Sequence, residues 1–170
     1  MIQKVRVITK VGPDLKGEGV LSDIHKMLGI TSVEKVVGIK VYRLEGITEK
    51  QAKILAENLL SESINQSYTL NTPIVEKASQ IFEIAYKPGV MNPEVESIMK
   101  AAADLRIKLL AADSSYEYAF YGRLRAEEIL KIVESLKLFN PLTEHIVELE
   151  PQTLIIKGKI GKTQVIPIRQ

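Results

Sequence analysis

The sequence predicts an α+β fold: two tandem β-α-β-α-β repeats forming antiparallel sheets with helices packed on one face, related by a pseudo-twofold axis, plus a C-terminal β-hairpin. Three observations predict it. Apolar residues alternate at period two in some segments and recur at helical spacing in others. The two kinds of segment follow in the same order twice. A gapless shift of 77 residues brings one half onto the other, with Lys10 on Lys87, Gly12 on Gly89, Leu28 on Leu105 and Leu59 on Leu136. Residue identity at that shift is near chance; the agreement of element order, turn position and buried face carries the argument.

Residues 4–11 (KVRVITKV) open the first repeat as a strand, and Gly12-Pro13-Asp14 breaks it. Val20, Leu21, Ile24, Met27 and Leu28 then mark one face of a helix, which Gly29 stops. Residues 33–44 form a strand with Val37, Ile39 and Val41 alternating. Thr48 and Gln51 make a capping box at the start of a second helix, whose buried face is Ala52, Leu55, Ala56 and Leu59. A short strand at 66–70 closes the repeat, which spans residues 1–72, and the segment 71–79 containing Pro73 is a linker.

The second repeat spans 79–150. Residues 81–87 are its first strand, and Pro88-Gly89 its first turn. Asn92 is suited to cap the next helix, with Pro93 in the first helical position. Val95, Ile98, Met99, Ala102 and Leu105 mark that helix's buried face, so Leu28 and Leu105, equivalent under the shift, are both expected to be buried. Asp113-Ser114-Ser115 reads as the loop entering a strand at 115–124, with Tyr116, Tyr118 and Phe120 on one side. Ile129, Ile132, Val133 and Leu136 mark a further helix, and 142–149 the last strand. Residues 151–170 have no counterpart in the first repeat. The segments 153–160 and 163–168 around Gly161-Lys162 read as a hairpin, with Ile155, Ile160, Val165, Ile166 and Ile168 too apolar for a solvated arm. Docking of this tail onto a partner or a symmetry mate is favoured over an internal edge strand.

Composition narrows the function. The 170 residues include no cysteine, which removes disulfides, thiol nucleophiles and cysteine-ligated zinc. The net charge of +2 gives no basis for nucleic-acid binding. The basic residues Lys157, Lys159, Lys162 and Arg169 give the tail a charge of its own. No apolar run is long enough for a membrane span and no leader pattern opens the chain, so a cytoplasmic location is expected. His25 and His145 are the only histidines and occupy non-equivalent places, so neither a metal nor a catalytic histidine is expected. The Gly-rich stretch 12–19 fits neither phosphate-binding pattern and reads as a strand-to-helix turn. No base accompanies Ser114 or Ser115. Lys87 beside Gly89, ahead of a helix N-terminus, is placed to meet an anionic group, so Lys87 and Gly89 are the candidate substrate-binding residues.

Several stretches resemble the PurS family, the small subunit of phosphoribosylformylglycinamidine synthase. They are 28–34 (LGITSVE), 38–50 (GIKVYRLEGITEK), 61–66 (SESINQ) and 83–93 (EIAYKPGVMNP). The chain is similar to two PurS copies in tandem, as in the N-terminal domain of the long fused form of that enzyme, over about residues 2–150. The resemblance implies a non-catalytic subunit of an ATP-dependent amidoligase of de novo purine biosynthesis. Such a subunit joins a synthetase (PurL) to a glutaminase (PurQ) and shapes the substrate cleft and ammonia route. It implies no cofactor, and leaves open self-association into a homo-oligomer. The alternative is a tandem ACT-like regulatory domain binding a small molecule between copies. That unit has a hairpin between its two helices, where this sequence has one long strand.

Overall fold

The computed structural model describes residues 1–155. Of the predicted hairpin, residues 153–155 are described and form no strand; the rest, with Lys157, Lys159, Lys162 and the apolar residues from Ile160 onward, lies outside the described residues. The first repeat comprises β1 (Ile2–Thr9), α1 (Leu15–Met27), β2 (Val33–Glu45), α2 (Glu49–Leu55) and β3 (Gln66–Leu70). The second comprises β4 (Gln80–Tyr86), α3 (Glu94–Asp104), β5 (Ala111–Gly122), α4 (Ala126–Ser135) and β6 (Glu144–Ile146). Each element falls on its counterpart under the 77-residue shift to within a few residues.

The two repeats join edge to edge in one six-stranded antiparallel sheet, ordered β3-β1-β2-β5-β4-β6. The longest ladder is the central one, twelve pairs between β2 and β5. Its middle pairs, Ile39↔Glu117 and Lys40↔Tyr116, exchange under the shift, so the pseudo-twofold axis passes between them. Antiparallel pairing about such an axis is the arrangement identical subunits adopt when strands meet across a twofold.

Among the described residues helices cover one face only, and their cores are shared across the repeats. Val5, Val7 and Leu44 pack with α2 (Ala52, Leu55, Ala56) and with α3 (Ile98, Ala102). Val33, Val36, Tyr118 and Phe120 pack with α1 (Val20, Ile24) and with α4 (Ile129, Ile132, Val133). Each core thus combines a helix from one repeat with a helix from the other, and the axis exchanges the two. A register shift between Val33 and Lys35 turns Val33 to the same side as Val36. Gly17 brings α1 against β2: a β-carbon there would lie 2.2 Å from the Val36 carbonyl oxygen.

The capping box is present as read, with Gln51 N donating to Thr48 Oγ1 at 3.1 Å and Thr48 N to Gln51 Oε1 at 3.0 Å. The α2 helix continues as a π-helical turn, Ala56–Leu60, which carries Leu60 into the core while Leu59 stays partly exposed. Asn92 Oδ1 accepts from Glu94 N at 3.0 Å, the expected cap, although the helix begins at Glu94.

Three expectations are corrected. Met27 is 72% exposed, because α1 narrows its buried stripe to Gly17, Val20 and Ile24. Leu105 is exposed and Leu28 only half-buried; both sit at the helix C-cap, just before the left-handed residue, Arg106 or Gly29, that ends the helix. Asp113-Ser114-Ser115 is not a loop but the start of β5, with both serines buried and their hydroxyls satisfied by Glu94 and Glu83.

Strand alternation leaves the face away from the helices to Val37, Ile39 and Val41, and to Lys4, Arg6, Arg43, Glu83 and Glu117. The linker covers the apolar part, with Ile74, Val75 and Ala78 on Ile39, Val41 and Ala119. Of the charged part, Lys4, Arg43 and Glu83 meet residues 147–155, which run on from β6, and Arg6 donates to Thr72 O of the linker at 2.9 Å. Pro151 is buried, and Thr153 Oγ1 donates to Glu45 at 2.9 Å. The described start of the tail therefore packs on its own sheet. No helix among the described residues is long and apolar enough to cross a membrane.

Candidate functional site

The strand-to-helix turns of the two repeats are copies of one another. Gly12 and Gly89 have φ of 87° and 86°, a conformation open to glycine without strain. At the second turn Val90 N donates to Lys87 O at 3.0 Å, and Lys87 N donates to Thr143 O at 2.8 Å. Lys87 and Gly89 are thereby placed on the wall of a small hollow of about 110 Å³, with Asn92, Val95, Asp113 and Leu154 among its other walls.

Both turns deliver a helix N-terminus to the middle of the sheet. Asp14 caps α1 through Oδ1, which accepts from Gly17 N at 3.0 Å, while Oδ2 accepts from Gly38 N at 2.8 Å and ties the helix to β2. At the start of α3, Asn92 Nδ2 donates to Asp113 Oδ1 at 3.0 Å and to Ser114 Oγ at 2.9 Å. Ser114 Oγ in turn donates to Glu94 at 2.7 Å, and Glu94 pairs with Lys40. Two ammonium groups lie over the Tyr116 ring, Lys16 at 3.8 Å and Lys40 at 4.3 Å from its centroid.

These residues line two further hollows, of about 370 and 190 Å³, that share Lys40, Glu94 and Tyr116. The smaller shares Tyr86 and Asn92 with the hollow at Lys87 and Gly89. The three form one cleft, running from the start of α1 across the pseudo-twofold axis and past the start of α3 to the Pro88-Gly89 turn. Lys87 and Gly89 stand at one end of it, Lys16 and Tyr42 at the other, and Lys40 and Glu94 between them. The sequence offered only the first end. Alternation along β2 and β5 does put Lys40, Tyr42 and Tyr116 on one face, but only the observed register brings them together.

Two groups of the cleft have shifted pKa values. Burial, with Glu94 and Tyr116 nearby, pushes the Tyr42 phenol up to about 12, so it stays protonated at neutral pH. Burial opposes the charge of Glu94, but its bonds to Lys40 and Ser114 outweigh it and hold the carboxyl below the ordinary range. At neutral pH Glu94 is therefore a carboxylate and Tyr42 a phenol. Neither histidine belongs to it. The His25 imidazole Nε2 lies 2.8 Å from Val33 O, tying α1 to β2, and His145 is buried in β6. Among the described residues no group of His, Asp and Glu gathers that could hold a metal ion.

A second polar assembly occupies the far face. Arg43, 1% exposed, donates Nη2 to Glu83 at 2.8 Å and Nη1 to the same carboxylate. It also donates to Glu150 from Nε at 3.1 Å and Nη2 at 2.9 Å. Burial works against the charge on Arg43, yet the two carboxylates hold its pKa above the ordinary value. Burial likewise opposes ionisation of Glu150, but the bonds to Arg43 and Lys4 bring it down to about 2. Glu83 is lowered for the same reason, with a contribution from Ser115. No protein-family model matches this chain, and no curated protein sequence matches it.

Proposed function

We propose that this chain is a non-catalytic bridging subunit of the PurS type, joining a synthetase to a glutaminase in phosphoribosylformylglycinamidine synthase and working in the cytoplasm. The observation that carries the reading is the twelve-pair β2–β5 ladder across the pseudo-twofold axis. It makes within one chain the two-copy unit that single PurS subunits build by association. The resembling stretches lie on both repeats, and one of them, 83–93, forms the turn that borders the cleft. In this reading the cleft end at Lys87 and Gly89 is the part turned toward substrate. The ACT-like alternative has a hairpin between its helices; here each repeat has a single unbroken strand, β2 or β5, in that place.

The test is co-expression with candidate synthetase and glutaminase subunits in the presence of glutamine and nucleotide. The expected result is a co-migrating complex with one copy of this chain per synthetase. Two copies per synthetase would contradict the replacement of a dimer by a tandem chain. Glutaminase activity in this chain alone, abolished by a single substitution within it, would overturn the bridging reading.

A further inference from the structure

Lys4 and Arg43 stand directly opposite each other on β1 and β2. Like charges in that position destabilise a sheet unless something neutralises them. Arg43 has Glu83 on β4 as a partner, and Arg6 has Glu117 on β5 at 2.8 Å. Lys4 comes only to 4.0 and 3.9 Å from those two carboxylates. The strand residues of this contact network are thus three cations and two carboxylates. The third carboxylate is Glu150, which comes from outside the repeat. Its side chain is 59% exposed, whereas those of Arg43 and Lys4 are 1% and 14% exposed.

Two further acids border Arg43 on the strands. Glu45 is held by Thr153 Oγ1 and the Leu154 amide, and Asp113 accepts from Asn92 and the Ser114 amide. The segment bearing Glu150 is fastened by polar contacts, and Pro151 is the one buried residue from 148 to 155. Glu150 lies across the Nε–Nη2 edge of the guanidinium, the planar fork that selects carboxylates.

We propose that Arg43 and Lys4 form a recognition site for a carboxylate ligand on the far face of the sheet, and that Glu150 is its built-in, displaceable occupant. The site is preorganised by three strands and opens to solvent on the side that Glu150 occupies. A carboxylate from a small acid or an acidic side chain can take the same two donors when residues 147–155 lift away. The inference does not rest on the bridging reading, since its donors Arg43 and Lys4 lie on the far face, although Leu154 of the same segment also walls the hollow at Lys87 and Gly89.

The experiment uses the full chain with acetate and succinate as probes, sodium chloride at matched ionic strength as control, and inorganic phosphate as a second arm. In Glu150→Ala, the carboxylates raise the melting temperature beyond the chloride control. In Glu150→Ala combined with Arg43→Lys, which keeps the charge and loses the fork, the apparent affinity falls roughly tenfold. In the unmutated chain, succinate speeds amide hydrogen exchange in residues 148–155, and chloride does not. No carboxylate-specific stabilisation of Glu150→Ala would overturn the site. Exchange in the unmutated chain unchanged by succinate would overturn displacement, and this arm decides the matter if the variant fails to fold. Phosphate acting as strongly as acetate would overturn the carboxylate class.

Discussion

Arg43 is the residue on which most of the far face depends. It is among the most buried side chains in the protein and has no apolar reason to be there. Removing one partner of a buried ion pair leaves an uncompensated charge, which costs about 3–5 kcal/mol, whereas replacing both partners by apolar groups is often neutral. Arg43→Met is therefore expected to lose about 3–5 kcal/mol in urea melts. Glu83→Leu should lose less, because Arg43 keeps Glu150. The double variant should recover most of the loss, and a double-variant loss equal to the sum of the two single losses would show that the pair is not coupled. A second residue-scale prediction comes from the helix ends. Gly29 and Arg106, equivalent under the shift, follow α1 and α3 with φ of 66° and 61°. The glycine adopts this left-handed conformation freely; an arginine is strained there by roughly 1–2 kcal/mol, part of which glycine returns through its looser unfolded chain. Arg106→Gly should raise the melting temperature by the equivalent of roughly 0.5–1 kcal/mol. Gly29→Ala should lower it, because nothing lies within 4 Å of the added β-carbon and only the backbone cost remains.

At the scale of elements, the strands and helices were largely legible because their signals are local. The capping box, the Pro-Gly turn and β3 at Gln66–Leu70 stand where the residues put them. What was not legible depends on partners distant in sequence. Ser114 and Ser115 look like loop residues until Glu94, Asn92 and Glu83 are brought to them. Lys4, Arg6, Glu83 and Glu117 look like an ordinary solvated strand face, and only the linker and residues 147–155 bury it. The cleft was half legible for the same reason: Lys87 and Gly89 share one turn, but Lys40 meets Tyr116 only through register.

The segment 147–155 also carries a pH prediction. Glu83, Glu94 and Glu150 have lower pKa values in the folded chain than the ordinary 4.5, Glu150 reaching about 2. Below the ordinary value the unfolded chain binds more protons than the folded one, so acid favours unfolding. The stabilisation from these carboxylates is complete above about 4.5 and declines as the pH falls toward 2. Urea melts at neutral pH and at successive steps below 4.5 should show that decline, and Glu150→Gln should make it shallower. A decline unchanged by Glu150→Gln would remove Glu150 from the account.

At the scale of the whole molecule, the crossing of helices between repeats decides what can fold alone. Residues 1–75 contain α1 and α2, but α1 shares its core with α4 of the other half, and α2 with α3. β2 would also lose β5, its twelve-pair neighbour, and expose a long edge rich in Val and Ile. A piece of this size buries little core even when complete. Expressed separately, 1–75 should therefore be either unfolded or self-paired through β2, and never a folded monomer. The second half alone should behave in the same way through β5. A cut in the linker is different, because the linker holds its place through Ile74, Val75 and Ala78 on the sheet rather than by chain tension. The two halves, mixed after separate purification, should associate one to one and regain a single cooperative melting transition. Native mass and circular dichroism measure both properties. A monomeric 1–75 with its own cooperative transition would show that each repeat is a domain in its own right, and that the shared cores only dock two finished units.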